Sequence, residues 1–175
     1  MFSIRNIKII THRELKSYLS TPIGYIFASI FLAISTGLSF HFGKFFDRGI
    51  ADLQSFFQYH PWLYLLLMPA IAMRLWAEEK KTGTLELLVT LPIYIGEAVV
   101  GKFLAAWIFS GGVLALSFPL WITVNYLGNP DNGIIISSYF ASWMMAGCFL
   151  SLSSCASALT NNQVIAFITG CLLYT

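Results

Sequence analysis

From Val99 to Tyr126 the chain carries one charged side chain, Lys102, near the start of the run. A stretch so long and so apolar exceeds the roughly 20 residues that cross a bilayer as a helix. Other runs of the same kind occupy residues 23–43, 61–77 and 136–159. The alternation of a membrane barrel strand is absent from all of them. Only 10% of the 175 residues are charged and 57% are hydrophobic, too few charges to clothe a soluble core of this size. The expected fold class is therefore all-α, a polytopic helical membrane protein. The formal charge of +2 is too small to imply a nucleic-acid partner.

Two segments stand apart from the hydrocarbon. Residues 1–22 form a basic amphipathic leader. On a helix, Ile4, Ile7, Ile10, Leu15 and Tyr18 share one side, and Arg5, Lys8, His12 and Lys16 form the neighbouring stripe. Such a segment is read as an interfacial helix that meets membrane lipids, its cations towards anionic headgroups. Glu14 falls inside the apolar stripe and calls for a polar or cationic partner elsewhere in the chain. Pro22 closes the helix. Cleavable signal-peptide features are not evident.

The second segment follows residues 61–77. Arg74 near the end of that run can snorkel to the interface and lies four residues before Glu78, the spacing of a helical ion pair. Glu78, Glu79, Lys80 and Lys81 mark the exit from the membrane. Thr82-Gly83-Thr84 then breaks the chain and starts a new helix over about 83–92, in which Glu86 complements the first turn. Leu85, Leu87, Leu88 and Leu91 gather on one side until Pro92 stops the run. At about 12 Å this helix is too short to span a bilayer and too apolar for water. It needs a groove.

The remaining punctuation is plain. Residues 44–60 read as a mixed loop whose Phe45, Phe46, Phe56, Phe57 and Tyr59, with Trp62, suit an interfacial belt. The 99–126 run is longer than a perpendicular crossing and is expected to tilt or to kink at Pro119. Residues 128–133, Gly-Asn-Pro-Asp-Asn-Gly, form a turn. The small side chains at 151–158 read as a helix-packing face. Residues 164–175 begin a fifth run of about 18 Å, short of a bilayer's roughly 30 Å, so the fifth span is expected to be incomplete and the chain cut short. Lys and Arg number eight in the leader and around the 78–92 stretch against two in the 44–60 loop. That bias predicts a cytoplasmic N-terminus and a cytoplasmic 78–92 stretch.

Motifs for chemistry do not assemble. Gly96-Glu97-Ala98-Val99-Val100-Gly101-Lys102-Phe103 approaches a phosphate loop, but Phe103 replaces the hydroxyl that would hold magnesium and no strand precedes it. Glu78-Glu79 would need histidines on neighbouring spans to hold a metal; His12, His41 and His60 fall in the leader, at the end of the first span and in the 44–60 loop. No nucleophile elbow is present. Cys148, Cys155 and Cys171 lack ligand spacing and read as small buried packing residues. Catalytic, metal and cofactor sites are not assigned.

The amphipathic leader with an aromatic opening to the first span, Glu78-Glu79-Lys80, Gly83-Thr84-Leu85-Glu86-Leu87-Leu88, Pro92 and Gly101-Lys102 together resemble the permease subunits of ABC-2 type transporters, closest to the gliding-motility-associated branch. The resemblance implies six spans, of which five segments are present here. It implies that the helix at 83–92 is a coupling helix docking on a separate ABC ATPase, which carries the ATP and magnesium. It also implies a second permease subunit, a location in the bacterial inner membrane, and ATP-driven export. The alternatives are a non-transporting membrane anchor or scaffold that recruits a cytoplasmic partner and, third, an intramembrane enzyme.

Overall fold

The computed structural model describes residues 3–43, 52–84, 86, 90 and 94–174. Among these the regular structure is helical throughout. Helix α1 spans Ile4–Ser20 and α2 Pro22–His41. A short α3, Gln54–Phe57, precedes α4, His60–Leu75, and α5, Ala77–Thr82. Then come α6, Ile95–Ala115, α7, Phe118–Leu127, α8, Asn132–Leu159, and α9, Gln163–Leu172. Among the described residues, three segments are long and apolar enough to cross a membrane: Pro22–His41, Ile95–Leu127 and Asn132–Leu159. Helices α4 and α9 pack with them but are shorter, at 16 and 10 residues.

Local chemistry sets the joints. Thr21 separates α1 from α2, and Pro22 opens α2 where its missing N–H is harmless. The turn is tight: a Cβ at Gly24 would sit 2.0 Å from the Tyr18 carbonyl oxygen. Trp76 breaks the run between α4 and α5, so the helix formed from the 61–77 run ends at Leu75. The helix over the 99–126 run is interrupted at Leu116–Ser117, where Ser117 N bonds to the Leu114 carbonyl, and Pro119 sits in the first turn of α7. The interruption lies just ahead of the proline. The Asp131 carboxylate caps α8 by accepting from Gly133 and Ile134, and Asn162 caps α9 through Val164.

Helix α4 lies at the centre, packed most extensively on α8. Its Tyr64, Met68, Ala72 and Leu75 are buried with Phe31 of α2, Ala106 and Val113 of α6, and Ala146 and Leu150 of α8. On α2, Gly24, Phe27, Phe31, Ser35 and Ser39 face inward while Ile26, Ile30 and Ile34 are exposed. Ser39 Oγ donates to the Ser35 carbonyl at 2.7 Å, so this buried hydroxyl is satisfied on its own helix.

Four sequence expectations need correction. Cys148 and Cys155 are exposed and Cys171 is partly so; they are not buried packing residues. A membrane bundle has an apolar outside as well as an apolar inside, so hydrophobic surroundings in sequence do not imply burial. The 44–60 stretch is not all loop, since it contains α3; residues 44–51, with Phe45 and Phe46, lie outside the described residues. Phe56 is buried with Leu53, Val124 and Ile135 and takes no part in a belt. His60 is not in a loop: it opens α4, is fully buried, and stacks against both Phe31 and Tyr64. Its Nδ1 is 3.3 Å from Ser142 Oγ, which lies 2.7 Å from the Tyr64 hydroxyl.

Within the 151–158 segment, Ser153, Ala156 and Ser157 do form a packing face, whereas Ser151, Cys155 and others point outward. Ser153 contacts Tyr174 and lies over Gly170, whose missing side chain makes room for Pro69.

Candidate coupling site

The site begins where α4 ends. Arg74 Nε donates to Glu78 Oε2 at 2.7 Å and its Nη2 reaches Glu78 Oε1 at 3.4 Å, a two-pronged pair across one helical turn. Trp76 interrupts the helix between them, and α5 begins at Ala77. Besides that ion pair, three contacts fasten α5 to the bundle. The Ala77 N–H donates to Ser157 Oγ at 3.1 Å, and that hydroxyl lies 3.4 Å from the Met73 carbonyl. The Lys80 ammonium donates to the Ala158 carbonyl near the end of α8. Glu79 Oε1 receives the Lys102 ammonium of α6 at 2.6 Å.

Lys102 is the centre of this cluster. Its side chain is 3% exposed, and its Nζ also lies 3.5 Å from Glu14 Oε1 of α1 and 5.6 Å above the Trp76 ring. A buried ammonium requires such partners, because an unpaired charge in a low-dielectric setting is strongly disfavoured. Glu14 is held in turn by Arg13 Nη2 at 2.8 Å. Glu14, Ser17, Tyr18, Arg74, Glu78, Glu79, Thr82, Thr84 and Lys102 line a polar cleft of about 240 Å³. Burial pushes the Tyr18 phenol well above its ordinary range, with the Glu14 charge adding to the effect.

Helix α1 reaches the cluster by running alongside the first half of α6. The Glu97 carboxylate accepts from the Ser3 N–H at 2.6 Å and from Asn6 Nδ2 at 2.9 Å; Thr11 Oγ1 donates to the Gly101 carbonyl; Tyr18 stacks on Phe109 at 5.1 Å. Small residues permit this approach, since a Cβ at Gly101 would lie 2.8 Å from Ile10 Cγ2. Gly101 of the near phosphate loop thus serves helix packing, and residues 96–103 are ordinary α6 helix. Arg5, Lys8, His12 and Lys16 occupy the exposed side of α1.

Beyond α5 the chain turns at Gly83, whose φ of 74° is left-handed and suits glycine as a helix terminator. Thr82 Oγ1 bonds back to the Glu78 carbonyl at 2.9 Å and lies 3.0 Å from Thr84 Oγ1. Lys81, Gly83, Thr84 and Glu86 are exposed. Leu85, Leu87, Leu88 and Leu91, the expected apolar face of the 83–92 helix, lie outside the described residues.

The structure therefore brings Glu14, Arg74, Glu78, Glu79 and Lys80 into one region and leaves the exposed leader cations apart from it. Sequence reasoning had paired Arg74 with Glu78 and asked for a partner to Glu14. It did not name Lys102 as that partner or Ser157 as an anchor of α5. The signal for Lys102 was available, since a charge inside an apolar run demands a counter-ion.

Residues 62–175 match the family model described as ABC-2 family transporter protein. The chain belongs to this family. No curated protein and no solved structure matches it. The matched region of this ABC-2 chain begins in α4 and includes α5, Lys102 and the packing face of α8. Membership makes the chain a membrane-embedded permease of an ABC transporter, and its three long apolar helices agree with an integral membrane protein. In such a transporter the permease works with an ATPase partner.

Proposed function

We propose that this permease couples ATP hydrolysis on a separate ABC ATPase to export, with the 83–92 segment as the coupling helix and a second permease subunit completing the pathway. Its cofactor needs are then met on the partner, where ATP and magnesium bind. The observation that carries this reading is the fastening of α5. A docking element transmits force only if its base is tied to the bundle, and the base here is joined to α6 by an ion pair and to α8 by a backbone N–H bond and a lysine–carbonyl bond. The left-handed Gly83 then releases the chain outward.

The distribution of Lys and Arg supports placing this end and the N-terminus in the cytoplasm of a bacterial inner-membrane protein. Helix α1 is read as an interfacial helix, its exposed Arg5, Lys8, His12 and Lys16 facing lipid headgroups. The gliding-motility-associated branch is the resemblance that the sequence over residues 78–92 suggests. The direct test is Leu88→Asp in the full-length permease co-expressed with its ATPase. Loss of ATPase co-purification with normal membrane insertion is expected; undiminished co-purification would remove the docking role.

A further inference from the structure

Lys102 is shared between two carboxylates on different helices. Its Nζ is within a full hydrogen bond of Glu79 on α5, at 2.6 Å, and just beyond one from Glu14 on α1, at 3.5 Å. The gap to a full charge-assisted bond with Glu14 is below about 1 Å. Neither carboxylate is locked. Glu79 is engaged through Oε1, while its Oε2 is buried and has no partner among the described residues. Glu14 keeps Arg13 as a second cation at 2.8 Å, on a side chain that is mostly exposed, so its charge remains compensated while Lys102 sits closer to Glu79.

We propose that Lys102 is an ion-pair switch and a positioning residue for the coupling step. In the state described, the ammonium binds Glu79 and ties α5 to α6. When a docked ATPase displaces α5, the ammonium passes to Glu14, so α6 releases α5 and grips α1. Lysine suits this exchange, because its ammonium is a compact charge with three rotatable donors on a flexible stem, unlike the fixed fork of arginine. The Trp76 ring, 5.6 Å from Nζ, offers the cation an attractive face at either position. Trp76 is also the break between α4 and α5, so the hinge and the switch touch. Two discrete partners for one buried charge supply the bistable element that a rigid-body coupling step requires. The inference rests on the docking reading above.

The test uses the full-length permease with its co-purified ATPase in lipid nanodiscs, native cysteines replaced by alanine. Spin labels are placed at Lys8→Cys on α1 and Lys81→Cys on α5, both exposed positions. The label–label distance is measured without nucleotide and after trapping with ATP and vanadate. Trapping is expected to shift the distance. Glu14→Gln removes the destination and is expected to reduce the shifted population at least threefold. Arg13→Gln removes only the competing cation and is expected to keep or raise it. A static brace predicts that both substitutions act in the same direction, and that result overturns the switch. Full shifting in Glu14→Gln overturns it too, as does an unchanged distance in the unsubstituted complex with the ATPase bound. If the ATPase does not co-purify with the unsubstituted permease, the docking reading falls and the switch with it; the other outcomes remove the switch alone.

Discussion

Trp107 of α6 and Trp143 of α8 bind each other reciprocally. The Trp107 indole N–H donates to the Trp143 carbonyl at 3.0 Å, and the Trp143 indole N–H donates to the Trp107 carbonyl at 3.1 Å. Their rings stack with centroids 4.5 Å apart. Four residues beyond each tryptophan lies a glycine, Gly111 or Gly147, over which the opposite indole is laid. The arrangement satisfies two partly buried indole N–H groups without any other side chain, which matters where water cannot serve. It locks the relative height of two long helices.

A side chain at either glycine must disturb this lock. A Cβ at Gly147 would lie 2.8 Å from Trp107 Nε1, and a rigid indole has little room to yield. Gly147→Val is expected to destabilise the protein by about 1–3 kcal/mol, as overpacking of a close contact does. Denaturation in detergent followed by tryptophan fluorescence checks it; unchanged stability would mean the helices are not held by this contact.

Lys102 and Glu79 make a second interhelical bond of a different kind. Lys102→Met leaves the Glu79 carboxylate half-buried without its cation, and the expected loss is about 3 kcal/mol. Glu79→Gln added to Lys102→Met removes the stranded charge and is expected to restore about half of that. A double variant less stable than Lys102→Met would contradict the pairing. This equilibrium measurement needs no ATPase and stands apart from the switch.

The exposed cysteines provide a third check. Because Cys148 and Cys155 lie on the outer surface, alanine at either position is expected to change stability by less than about 0.5 kcal/mol. Losses above 1 kcal/mol at both, measured by the same denaturation, would show that these thiols are packed against protein.

The site was half legible from sequence. Arg74 and Glu78 could be paired because their spacing is local, four residues on one helix, and Gly83 could be placed as a terminator because its chemistry acts on its own backbone. The demand of Glu14 for a partner was likewise local. Which cation answers it was not, because α1 meets α6 only through tertiary packing, over Ile10, Gly101 and Ala98. His60 shows the same boundary. By position it looked like a loop histidine; only the convergence of Phe31, Phe56 and Tyr64 makes it core.

The sequence by itself determined that the chain is helical and membrane-embedded, and roughly where its helices stop. Long apolar runs have few ways to satisfy their backbone in lipid, and Pro22, Gly83, Asp131 and Asn162 act on neighbouring residues. The tertiary structure decided which face of each helix turns inward. In water, polarity separates inside from outside, but in a bilayer both are hydrocarbon. Ile30 and Phe31 are equally apolar neighbours, and one is exposed while the other is core. The sorting comes from shape and from scarce polar bonds: glycines under indoles, Ser157 beneath the first N–H of α5, and one lysine between two carboxylates.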